Sequence, residues 1–269
     1  MLGPQGIWMV VGVITLLLVV VWYWGLRLPL VIYRTQRFNP APTLQRFDLI
    51  ETPPPGEAGR YFRSMDRQLK TLDFYQLDSL ALPDPLPNVR ALILIYCNDM
   101  TQDLATATMM YGIDVNTETV NLASSYVEFI SCFDCEAPRI IQTNNAQMLG
   151  SFPQSRDVRT YRFPHVSKLE RLFDLHCRIL ERDNPPGRKY FRLDREFQGG
   201  CAAYLKAAML EAYEKQLATG YLTRDSENSS FRPTFIGALM MTWAQQSPLK
   251  EFLWNQVQTR ALQLERELL

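Results

Sequence analysis

The sequence predicts an α+β fold: an N-terminal single transmembrane helix, followed by a domain whose antiparallel meander sheet is packed by C-terminal helices. Three observations predict it. Residues 7–26, IWMVVGVITLLLVVVWYWGL, form one uncharged apolar run. Between residues 88 and 163 the apolar pattern breaks into short runs rich in Val, Ile, Thr, Tyr and Phe, which read as strands. No long helical period separates them, which argues against a doubly wound parallel sheet. Beyond residue 165 apolar residues recur at three and four, the spacing of amphipathic helices.

Twenty helical residues at 1.5 Å each span about 30 Å, the thickness of a bilayer's hydrocarbon core. Trp8 near one end and Trp22, Tyr23 and Trp24 near the other sit where aromatic rings favour the headgroup level. Arg27, Arg34, Arg37 and Arg46 follow with no acidic residue before Asp48. Such arginines favour the cytoplasmic face and draw on anionic lipid by about 1 kcal/mol each. The expected localisation is therefore the cell membrane, single-pass, with the amino terminus outside, the C-terminal domain cytoplasmic and the lipid bilayer as a partner. A cleaved signal would need a basic start and an A-x-A-like site, and neither is present. Pro29 predicts a kinked exit at residues 28–33.

The chain then divides into an anchor and its exit (1–37), a proline-rich linker (38–58) and an α+β domain (59–269). Five prolines in residues 38–58 favour an extended spacer. In the domain, Tyr61 to Leu72 reads as a helix, with Phe62, Met65, Leu69 and Leu72 on one side. Strands are expected over Asn88–Cys97, Leu104–Tyr111, Val120–Phe133, Arg139–Thr143 and Val158–Phe163. In the third, Val127, Phe129 and Phe133 alternate with Glu128 and Asp134, the pattern of one buried and one wet face. Helices follow over His165–Arg182, Arg195–Thr219, Pro233–Gln246 and Pro248–Leu268, the last with Ser247 as a cap. Thr234–Trp243 is apolar but only ten residues long, too short to cross a bilayer, and is expected in the core.

Chemistry is sparse. The chain carries 28 basic and 28 acidic side chains, so no global field favours nucleic acid. Five cysteines, an odd number, suit a reducing compartment rather than a disulfide framework. Cys132 and Cys135 form a C-x-x-C pair able in principle to bind zinc or cycle with a disulfide, yet two further ligands or a helix start are missing. The two histidines, His165 and His176, read as structural, and the common nucleotide, metalloprotease and hydrolase motifs are absent. No metal and no cofactor is expected. Arg188–Arg192 mixes basic and aromatic residues but is balanced by Asp194 and Glu196. Residues 220–234, a turn flanked by Tyr221–Arg224 and Phe231–Thr234, resemble the wing hairpin of winged-helix domains, although the preceding helix is not basic. The resulting functional expectation is a membrane-anchored binding or scaffold domain with another protein as partner. The alternatives are a lipid- or small-ligand-binding domain with a dry pocket under the His165–Arg182 helix, or a thiol-dependent enzyme using Cys132 and Cys135.

Overall fold

An eight-stranded sheet separates two layers of helix in the computed structural model, which describes residues 4–49, 51, 54, 56–86, 89–113, 120–150, 152–225 and 230–269. The strands β1 (Gln45–Arg46), β2 (Tyr75–Leu86), β3 (Val89–Asn98), β4 (Asp103–Ile113), β5 (Val120–Phe133), β6 (Ile140–Asn144) and β7 (Val158–Arg162) lie side by side in chain order. Every neighbouring pair is antiparallel except the last, because the connection of residues 145–157 crosses back and sets β7 parallel to β6. The meander is thus present, with one parallel edge that the sequence reading did not contain. A short β8 (Lys189–Tyr190) pairs with the end of β5 at Cys132 and Phe133, where β4 has run out.

Both faces of the sheet are covered. On one, Leu94, Tyr96, Ala105, Val127 and Phe129 pack against α3 (Gly56–Lys70), α4 (Leu169–Asp183) and α8 (Leu249–Leu268). On the other, Ile95, Leu104, Ile130 and Cys132 meet α5 (Arg192–Phe197) and α6 (Cys201–Ala218). The expected wet face of β5 is therefore largely shielded, and burial pushes the Glu128 carboxyl up against the opposing effects of the Asn144 hydrogen bond and the Arg162 charge. The helix expected over Arg195–Thr219 divides because Gln198 and Gly199 take left-handed backbone angles, φ 50° and 77°, which end one helix and start the next. A hairpin of β9 (Leu222–Asp225) and β10 (Ser230–Pro233) leads into α7 (Phe235–Trp243), whose first turn is capped by the Thr234 hydroxyl accepting from the Gly237 amide at 3.1 Å. Ser247 does not cap α8, whose N-cap position is Pro248; its hydroxyl bonds the Glu251 carboxylate.

The N-terminal run departs most from expectation. It forms α1 (Pro4–Val20), seventeen residues long, which gives way to a π-helical segment over Val21–Arg27 and then to α2 (Leu28–Thr35). Seventeen residues rise about 26 Å, short of the ~30 Å that a span requires. Among the described residues no helix is long and apolar enough to cross a membrane. The transmembrane helix, the single-pass orientation and the membrane localisation are corrected accordingly. The twenty-residue count ran past Val20 into residues committed to the folded unit: the Trp243 indole donates to the Gly25 carbonyl at 3.2 Å; beyond the count, Tyr33 meets Phe235 edge to face. Trp8, Trp22 and Tyr23 are exposed, Arg27 stacks over the Tyr23 ring at 4.9 Å, and the side chain of Trp24 lies outside the described residues. Arg34 is exposed, whereas Arg37 pairs with Asp225 at 2.8 Å. The described part of 38–58 also lies against the fold. Phe38 bridges Phe231, β1 pairs with β2, and Phe47 and Leu49 pack on the α3 side of the core.

Candidate binding groove

Two polar constellations stand out, one closed and one open. The closed one is assembled from four elements. Asp103 begins β4, Ser131 lies on β5, Thr143 on β6 and His176 on α4, and all four are buried. Ser131 bonds the Asp103 carboxylate, His176 Nε2 lies 2.9 Å from Ser131 Oγ, and His176 Nδ1 lies 2.9 Å from Thr143 Oγ1. Lys189, carried by β8, places its ammonium 2.5 Å from Asp103 Oδ1. Burial alone would raise the Asp103 carboxyl, but His176 and the Lys189 ammonium hold it down to about 2. Burial lowers His176, so the imidazole is neutral and the nearer Lys189 is the counter-ion; His176 Nε2 stands 3.7 Å from Asp103 Oδ1.

These facts fix the direction of every proton. A carboxylate only accepts, so Ser131 donates to Asp103 and its oxygen accepts from His176 Nε2–H, while Nδ1 accepts from the Thr143 hydroxyl. The imidazole lone pair therefore faces Thr143 and not Ser131. A Ser–His nucleophile needs the opposite tautomer and access to substrate, and none of these groups lines a described cleft. The constellation is a one-way hydrogen-bond chain that ties α4 to three strands.

The open constellation lies along β7. A cleft of about 510 Å³ runs between β7 and α8, and a second of about 300 Å³ continues it toward α7; Gln154, Arg162, Val257 and Arg260 line both. Both parts are mixed in character, the first with Thr160, Tyr161 and Glu267 and the second with Phe152, Met240 and Leu253. Arg162 donates from Nη1 to the Met148 carbonyl at 3.2 Å, but its buried Nε has no hydrogen-bond partner. Burial lowers the Arg162 pKa against the pull of Glu128 and Tyr126. Arg260 is exposed on α8. The groove thus offers two guanidinium groups, a wall of apolar side chains and an edge of β-sheet.

The two cysteines read from the sequence as a thiol pair pack into different hydrophobic clusters. Cys132 is buried beneath α5 and α6, and burial pushes its thiol up to about 12, far from the thiolate that metal binding or exchange requires. Cys135 packs toward the opposite core and donates to the Pro138 carbonyl at 3.2 Å. All five cysteines are free. His165 bonds Glu265 of α8 at 2.6 Å, pinning α8 to the start of α4. Among the described residues no group of three or more His, Cys, Asp or Glu side chains is arranged to hold a metal ion. Sequence reasoning missed the groove because its walls come from residues about a hundred positions apart; the only local signal was the Pro- and Ser-containing connection before β7. Comparison with known proteins finds no similar family model, curated protein or solved structure.

Proposed function

We propose that this protein is a binding module whose ligand surface is the groove between β7 and α8. The observation that carries the reading is the shared lining of the two clefts by Arg162 and Arg260 beside an apolar wall. Clefts of a few hundred Å³ with a few convergent polar groups are the usual form of a ligand site. Under α4, Phe74, Phe129, Leu172 and Leu175 are buried together in one cluster, which counts against a dry ligand pocket there. A thiol enzyme is disfavoured by the separation of Cys132 and Cys135 and the raised thiol of Cys132. The occupant in this reading is another protein or a small amphipathic anion.

Screening the full chain with a small-fragment set rich in carboxylates, read by amide chemical shifts, tests the location. Fragments of this size bind at about millimolar strength. The expected outcome is a cluster of perturbed amides around Gln154, Thr160, Val257 and Arg260, weakened by Arg260→Glu, whose exposed position keeps stability within about 0.5 kcal/mol. Perturbations confined to other faces would overturn the assignment.

A further inference from the structure

Strand β7 is the outer edge of the sheet, and an edge strand presents a row of backbone donors and acceptors to whatever lies beside it. In a parallel ladder alternate residues point toward and away from the neighbour. The Phe163 amide donates to the Asn144 carbonyl at 2.8 Å, which turns residues 159 and 161 toward β6 and residues 158, 160 and 162 away from it; the Val158 amide is taken up by the Ser155 carbonyl at 3.3 Å, and Thr160 and Arg162 line the groove. At Thr160 both outward groups are occupied by one side chain. Gln154 Oε1 accepts from the Thr160 amide at 3.3 Å, and Gln154 Nε2 donates to the Thr160 carbonyl at 3.5 Å. A single carboxamide is thus making the pair of bonds that a neighbouring strand would make, and both are longer than the usual range of about 2.7–3.2 Å for such bonds.

We infer that Gln154 is a displaceable stand-in for a peptide strand, and that the groove accepts an extended acidic peptide which adds to β7 and takes over the Thr160 bonds. This rests on the groove being the ligand surface. The sign of the peptide follows from charge: Arg162 is already partly matched by Glu128, which leaves the exposed Arg260 as the accessible cation of the groove, with Glu267 the one acid among the residues lining the two clefts. Its extended form follows from the edge, which runs five residues, about 17 Å at 3.3 Å per residue. Alternate side chains of an added strand point to opposite sides, so apolar residues can meet Val257 and Leu253 while acidic ones meet the guanidinium groups. Backbone bonds then supply affinity and the alternating pockets supply choice.

The probes are three acetylated, amidated hexapeptides titrated against the full chain: alternating Val and Glu, the same peptide N-methylated at alternate amides, and alternating Val and Lys. The expected result is that the Val–Glu peptide shifts amides 158–162, that N-methylation weakens it about tenfold by removing ladder bonds, and that the Lys peptide binds more weakly still. Gln154→Ala, at an exposed position, is expected to tighten the Val–Glu peptide about fivefold by removing the competitor. Equal binding of the N-methylated peptide overturns strand addition while leaving the groove as a ligand surface. Fragments and peptides that all bypass the groove overturn both. Should Gln154→Ala perturb the fold, the N-methylation arm on the unaltered chain still decides.

Discussion

At Asp103 a carboxylate sits at 0% exposure with one oxygen bonded by Ser131 and Lys189 and the other without a partner. An arrangement of this kind makes stability depend on pH in a direction that can be worked out. Asp103 is held at about 2 against an ordinary 3.8, so its contribution, on the order of 2 kcal/mol, is full above 3.8 and lost as pH falls toward 2. His176 is lowered below its ordinary 6.5, so the unfolded chain takes up a proton that the folded chain refuses. Its contribution too is full above the ordinary value and declines as pH falls below it. Urea unfolding between pH 7.5 and 5 is expected to show declining stability, and His176→Asn is expected to flatten that slope whatever it does to absolute stability. Lys189→Gln leaves Asp103 charged and buried without its counter-ion. A loss of about 3 kcal/mol is expected at pH 7, shrinking as Asp103 takes up a proton at lower pH; a pH-independent loss would speak against the pairing.

Between elements, α7 comes very close to the turn that precedes β9. A Cβ added at Gly237 would lie 2.0 Å from the Tyr221 carbonyl oxygen, which is backbone and cannot swing away. Gly237→Ala is therefore expected to cost about 1–3 kcal/mol, the range for an overpacked contact, and to push α7 off the hairpin. Because α7 also carries Trp243 and Phe235, the same variant should loosen α2 and be visible as faster amide exchange at residues 32–36. Unchanged exchange there would show that the two helices are not coupled. Arg192, only 6% exposed, binds Glu196 and Glu211 at 2.8 Å each. This ties α5 to α6 across the break at Gln198 and Gly199.

Much of the molecule's plan was legible, and the illegible parts share a cause. Local periodicity gave β5 its bounds, Val120–Phe133, because alternation with bulky apolar residues has no competing period there. β2 escaped notice because Pro83 and Pro85 interrupt it; the ladder tolerates them where its register slips between Leu82 and Leu86. The parallel pairing of β7 depends on a path of thirteen residues that no periodicity records. The polar chain joins residues 103, 131, 143 and 176 from four elements, and the groove joins 154–162 to 257–267, so neither has a spacing to detect. The length of the apolar run was plain, but not that its last turns would change helical type and be claimed by α7.

That claim has a cost in time. The bond from Trp243 to Gly25 closes a separation of 218 residues. At 5–20 residues per second a ribosome needs on the order of 10–40 s to make the chain between them. For that interval the most apolar segment of the protein has been synthesised and the helix against which α2 rests has not. The order of synthesis is the reverse of the order of docking, so the nascent chain must keep its own beginning from associating with its neighbours until nearly the whole sequence exists.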